Sequence, residues 1–157
     1  MATLKQAVDG FLARKRIAVV GVSRSPNEAA NLVYRTLRKA EYEVFAVNPN
    51  ADEVEGDRCY HDLASIPGGV DAAVIATAPA VSESVVRECA ERGVTHVWMH
   101  RSFGEGSVSP AAAAYCREHN ITAIEGGCPM MFLPGTDIGH KCMRWVLNLT
   151  GRLPKQV

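Results

Sequence analysis

The chain has 157 residues, 47% of them hydrophobic, which suits one globular domain with a real core. Seventeen Lys and Arg balance seventeen Asp and Glu, so no global field exists to hold nucleic acid, and an anionic ligand must be held by local groups. The opening residues 1–16 are too polar for a signal peptide, no apolar run is long enough to span a bilayer, and a cytoplasmic protein is the expectation.

Leu4, Val8, Phe11 and Leu12 predict a short amphipathic helix over 3–14. Residues 17–22 (Ile-Ala-Val-Val-Gly-Val) read as a buried parallel strand running into a tight turn at Gly21. Ser25, Pro26 and Glu28 then carry the pattern of a capping box, with Pro26 at the first helical position. The helix is predicted over 26–40, with Ala29, Leu32, Val33, Thr36, Leu37 and Ala40 as its apolar stripe. A helix starting just after such a turn points unpaired N–H groups at the loop, a setting for phosphate.

Glu43–Val47 is the second strand, stopped by Asn48-Pro49-Asn50. Residues 51–69 are turn-rich, with a short strand or turn near 58–61. Residues 71–76 form a central strand, followed by a helix marked by Val81, Val85, Val86 and Cys89. Residues 94–99 form a strand, Ser109-Pro110 caps another helix, and 122–124 is a last short strand. A closing helix covers 137–150. Alternating strands and helices predict an α/β fold, a Rossmann-like three-layer sandwich around a doubly wound, mostly parallel sheet of about five strands. One domain is expected over 1–157.

In such a fold ligands sit at the carboxyl ends of the strands. The loops there are 21–27, 48–52, 77–80, 100–106 and 126–131. A dinucleotide fingerprint is absent: only Gly21 is present, Ser23 and Pro26 replace the other glycines, and no carboxylate ends the second strand. No Gly-Lys-Ser/Thr follows the first strand, so a Walker A loop is absent too. The five cysteines (59, 89, 116, 128, 142) show no C-x-x-C spacing, and the five histidines no metal-ligand spacing; reduced thiols and no metal are expected.

Four segments together resemble a known family: Val20-Gly21-Val22-Ser23-Arg24-Ser25-Pro26-Asn27, Val47-Asn48-Pro49, Ile75-Ala76-Thr77-Ala78-Pro79 and Gly126-Gly127-Cys128-Pro129. The chain resembles, over about residues 11–149, the small stand-alone coenzyme A-binding proteins, whose domain also forms the N-terminal part of the succinyl-CoA synthetase alpha subunit. The resemblance implies a CoA-binding module, taking CoA or acyl-CoA and no nucleic acid or membrane. The diphosphate would lie at Ser23, Arg24, Ser25 and Asn27, beside Gly21 and Val22. Adenosine would lie near Asn48-Pro49, and the pantetheine arm would pass Thr77-Ala78-Pro79 toward Cys128. Residues 97–104 depart from the pattern of most members, and Met130-Met131-Phe132 extends the Cys-Pro element as in a subgroup.

Each residue also has a structural reading. Ser25 and Glu28 can serve only as a cap, Arg24 as a solvated charge, Asn48-Pro49 as a strand terminator and Thr77-Ala78-Pro79 as a plain turn. Cys128 reads as a buried structural thiol or as a thiol near the CoA sulfur. His100 and Arg101 read as surface or site groups, and the Met130–Phe132 cluster as core or interface filling. The synthetases that share this domain carry a phosphorylated histidine on further domains, and His140 falls within the closing helix. No catalytic residue is assigned. The alternatives are a small enzyme acting on an acyl-CoA through Cys128 or His100, or a CoA-sensing regulatory partner. A homodimer or another protein partner stays open.

Overall fold

The structure, a computed structural model, describes residues 2–101, 106–133, 138–151, 153 and 157. Helix α1 (Leu4–Leu12) opens on a reciprocal capping box between Thr3 and Gln6 and buries Ala7, Val8 and Phe11. Strand β1 (Arg16–Val20) follows, then α2 (Ala29–Lys39), β2 (Glu43–Val47), β3 (Glu53–Val54) and β4 (Asp57–Tyr60). Next come β5 (Ala72–Ile75), α3 (Pro79–Glu91), β6 (His96–Met99), α4 (Pro110–Glu118) and β7 (Thr122–Glu125). A 3-10 turn at Pro129–Met131 and helix α5 (Ile138–Leu149) close the order.

The seven strands form one sheet in the order β3-β4-β2-β1-β5-β6-β7. All pairings are parallel except β3 with β4. Alternation along each strand divides the core. Ile17, Val19, Ala72, Val74, Trp98 and Ile124 join α1 and α2 on one face. Ala18, Val20, Ala73, Ile75, Val97 and Met99 join α3 and α4 on the other. Trp98 is fully buried edge-on to Phe11 and donates its indole N–H to Gly126 O at 2.9 Å. No helix among the described residues is long and apolar enough to cross a membrane.

The architecture is the predicted three-layer sandwich, and five of the strands are those read from the sequence. Two strands more complete the sheet. The single short element expected near 58–61 is a hairpin, β3 turning into β4 through Glu55 and Gly56, both at positive φ (54° and 76°). Positive φ at both turn residues is the type I′ pattern that matches strand twist.

The capping box at Ser25 and Glu28 does not form. Helix α2 begins at Ala29, and its N-cap, Glu28, makes no side-chain capping bond. The chain over 24–28 is instead tied into a turn: Ser25 N–H donates to Ser23 Oγ at 3.0 Å, and Arg35 Nη1 donates to Pro26 O at 2.9 Å. The buried face of α2 also differs from the stripe read by spacing. Ala30, Asn31, Val33, Tyr34 and Leu37 face inward, while Leu32 is 39% exposed. Tyr34 and Arg38 reach across to the hairpin and both donate to Asp57 Oδ2, at 2.7 and 2.6 Å, which holds that carboxyl below the usual range. Polar partners on the hairpin thus explain why a tyrosine and an asparagine lie on the inner face.

Candidate functional site

Two clefts open along the carboxyl edge of the sheet, of about 480 and 390 Å³, and both are bounded by Gly21 and Thr77. They abut over the ends of β1 and β5 and form one trough. The first runs from Ser23 and the start of α2 past Thr77-Ala78-Pro79 to His100 and Ser107. The second has apolar walls from Val20, Val47, Leu63, Val81 and Val85, with Asn48 and Pro49 at its rim.

Gly21 lies at φ +105°, where an L side chain would also collide with Ala76 O. Its N–H donates to Val47 O at 2.9 Å, extending the parallel ladder by one bond. Glycine is therefore required here for close approach of the β1 and β5 ends, independently of any phosphate.

The loop after β1 is fixed by a residue the sequence reading passed over. Asn31, 1% exposed, accepts from Ser23 N–H at 2.9 Å and donates to Ser23 O at 2.7 Å and to Glu55 Oε1 at 2.7 Å. Arg35 pairs with the same Glu55 oxygen at 2.7 Å. Asn48 performs a similar service between loops, donating to Val22 O and accepting from Asn50 N–H, both at 2.9 Å. Its amide thus serves first to join the ends of β1 and β2. Polar residues in helices and loops carry no periodic signal, so both clamps needed the fold to become visible.

Helices α2 and α3 start at the first cleft, and neither has a side-chain cap; α1 and α4, capped by Thr3 and Ser109, start elsewhere. Pro79 opens α3 at its first position, as the sequence predicts. Uncapped first-turn N–H groups give this wall a positive partial charge, which Glu28, the N-cap of α2 and also a lining residue, offsets in part.

Of the residues singled out by sequence, Gly21, Ser23, Thr77, Ala78, Pro79, Asn48 and Pro49 line the trough. Val22 is buried behind it. Arg24, Ser25 and Asn27 are exposed on the adjoining loop and line neither cleft, and Arg24 makes no ion pair among the described residues. Cys128 is 3% exposed, packs in the core with Met130 and Met131, and lines neither cleft. Part of the 100–106 loop, and residues 134–137 at the predicted start of the closing helix, lie outside the described residues.

Two carboxylates border the second cleft, and both are engaged with backbone. Glu88 Oε1 accepts from the N–H groups of Leu63 and Ala64 at 2.7 and 3.1 Å. Asp62 Oδ1 accepts from Ser65 N–H at 2.8 Å, and bonds from Ser65 hold its carboxyl below the usual range. No cluster of His, Cys, Asp and Glu suited to a metal occurs among the described residues. Burial pushes the thiols of Cys59 and Cys89 up, and that of Cys116 up to about 11, so these three are poor nucleophiles at neutral pH.

Burial also holds His96 and His100 below the usual imidazole range, with Arg14 and His140 respectively adding repulsion. Such a group is protonated in the unfolded chain before the folded one, so stability is constant above the unfolded value, about 6.5, and falls as pH drops below it. Thermal melts from pH 8 to pH 5.5 are expected to show this loss, and the double variant His96→Gln, His100→Gln to flatten it. An unchanged slope in that variant would place the acid sensitivity elsewhere.

Residues 15–134 match the family described as CoA binding domain. The alpha subunit of an ADP-forming acetate–CoA ligase II from Pyrococcus furiosus is 34% identical over 93 residues, 57% of this chain but only 20% of that subunit. An uncharacterized Bacillus subtilis protein, YneT, is 30% identical over 114 residues, covering 73% of this chain and 82% of its own length. A solved hypothetical protein from Pyrococcus horikoshii superposes with a TM-score of 0.74 at 25% identity, over 80% of this chain and 86% of that one.

Proposed function

This chain belongs to the CoA binding domain family, and from that membership we propose that it binds coenzyme A or an acyl-CoA along the trough at the carboxyl edge of the sheet. The observation that carries the reading is the meeting of two chemically different clefts at Gly21 and Thr77. CoA has the same division: an aromatic nucleoside at one end, a charged diphosphate, and a long pantetheine arm.

In this reading the diphosphate lies against the uncapped start of α2, near Ser23 and Ala30, where N–H groups and the helix dipole favour an anion. Adenosine occupies the apolar cleft, with Pro49 offering a rigid face at its rim. The pantetheine arm follows Thr77-Ala78-Pro79, whose small side chains leave it room, toward His100. Clamping of Ser23 by Asn31, and of Val22 by Asn48, fixes the loop before the ligand arrives, which lowers the ordering cost of binding. The reading assigns binding and no reaction. Contact between the thiol end and Cys128 would require movement of the core around that buried residue.

Arg24 supplies an exposed positive charge on the loop beside the proposed diphosphate. Calorimetric titration of Arg24→Glu with CoA should show a loss of roughly 1–3 kcal/mol at low salt, shrinking as salt is added, because the site of the charge is solvated. Wild-type affinity in the folded variant would remove Arg24 from the ligand's field. Heat of binding for CoA and for acetyl-CoA at micromolar protein tests the reading as a whole, and its absence with both would defeat it.

A further inference from the structure

Among the described residues, four polar side chains are almost wholly buried: Asn31, Ser82, Ser107 and Ser109. Three are bonded within the fold. Asn31 holds Ser23 and Glu55, Ser82 Oγ donates to Ser107 O at 2.8 Å, and Ser109 Oγ donates to Glu83 and accepts from Ala112 N–H. Ser107 differs. Its backbone is pinned on both sides, its N–H donating to His100 O at 2.8 Å and its carbonyl accepting from Ser82, yet its hydroxyl has no hydrogen-bond partner among the described residues. No fully occluded side-chain nitrogen or oxygen lacks a partner among the described residues, so that hydroxyl keeps an open side, and Ser107 forms part of the wall of the first cleft.

His100 stands on the same wall, one backbone hydrogen bond away. Its ring also has no hydrogen-bond partner among the described residues, and burial favours its neutral form, which offers one N–H. A half-buried imidazole and the hydroxyl of a serine that is only 2% exposed, both without hydrogen-bond partners among the described residues on one wall of a cleft, are donors awaiting an acceptor from the ligand.

We propose that the Ser107 hydroxyl and the His100 ring together hydrogen-bond the thioester carbonyl oxygen of an acyl-CoA, so that the site is built for the acylated thiol and not for free CoA. The inference rests on the CoA reading above. A carbonyl oxygen has two lone pairs and accepts from two neutral donors, whereas a thiol sulfur is a weak acceptor. Donors on a fixed backbone lose little freedom on binding, and the Ser107 backbone is held by two hydrogen bonds before the ligand arrives. An amide carbonyl of the pantetheine arm has the same chemistry, and the experiment separates the two.

The test is calorimetry of CoA, acetyl-CoA and S-ethyl-CoA, a thioether of similar size without the carbonyl, at one salt concentration. Wild-type protein should bind acetyl-CoA about three- to tenfold more tightly than S-ethyl-CoA. In Ser107→Ala that ratio should fall to about one, and in His100→Phe it should fall as well. A wild-type ratio near one overturns the proposal without help from any variant. So does a Ser107→Ala ratio equal to the wild-type ratio, including the case in which all three ligands lose affinity alike, the mark of donors set on a pantetheine amide. Failure of wild-type protein to bind any of the three defeats the CoA reading itself, and this inference with it.

Discussion

Gly21→Ala is expected to destabilise the protein by about 2–5 kcal/mol, as strain from positive φ adds to overpacking. The new methyl would strike Ala76 O and stand 3.3 Å from Thr77 Cγ2, and the backbone would still have to hold φ near +105°. Both neighbours follow directly on β5, so relief requires moving apart the ends of the two central strands on which the trough rests. Urea unfolding gives the measurement: a lowered midpoint with an unchanged slope is expected. A midpoint within experimental error of wild type would show that the β1–β5 edge yields easily, and the preformed trough would lose its basis.

Asn31→Asp is expected to cost about 2–4 kcal/mol at neutral pH, through lost donors and a like-charge contact. The new carboxylate keeps an acceptor for Ser23 N–H but cannot donate to Ser23 O or to Glu55. It also stands against the Glu55 carboxylate, which Arg35 neutralises only in part. Repulsion raises the folded-state affinity for a proton at this pair. The deficit relative to wild type should therefore shrink as pH falls from 7 toward 5, since a raised folded value adds stability below it. Asn31→Leu, which loses all three bonds without adding charge, should show a deficit that does not vary with pH over that range. Parallel pH profiles for the two variants would rule out the contact with Glu55 as the cause.

The main strands were legible because buried parallel strands are continuous apolar runs. Ile17 to Val20 and Ala72 to Ile75 admit few other readings. What stayed hidden depends on contacts between segments far apart in the chain. The β3–β4 hairpin turns through Glu55, a residue that seldom adopts positive φ, and β3 is two residues long, too short for any periodic pattern. The capping pattern at Ser25 and Glu28 was locally sound but lost to the longer-range hold of Asn31 on Ser23 and of Arg35 on Pro26. That same hold places Asn31 and Tyr34 on the inner face of α2, so the apolar stripe was displaced. At the site, the loops at the ends of the first, second and central strands were placed well, because sheet topology fixes which loops share an edge. Ser107 was missed, since a serine in a polar loop looks the same whether or not its hydroxyl is engaged.

The absence of a carboxylate at the end of β2 discriminates between ligands. In a dinucleotide site that carboxylate accepts from the ribose hydroxyls; beside a 3′-phosphate it would repel. Here Asn48 is neutral and tied to Val22 O and Asn50 N–H. Asp62 and Glu88, the carboxylates that do border the cleft, are engaged by backbone N–H groups of the 63–65 turn. Titration of CoA, dephospho-CoA and NAD side by side, at one pH and one salt concentration, bears most directly on the proposed function. CoA should bind more tightly than NAD by about 1–3 kcal/mol, roughly tenfold to more than a hundredfold, and dephospho-CoA more weakly than CoA. NAD bound as tightly as CoA would contradict the assignment of this trough to coenzyme A.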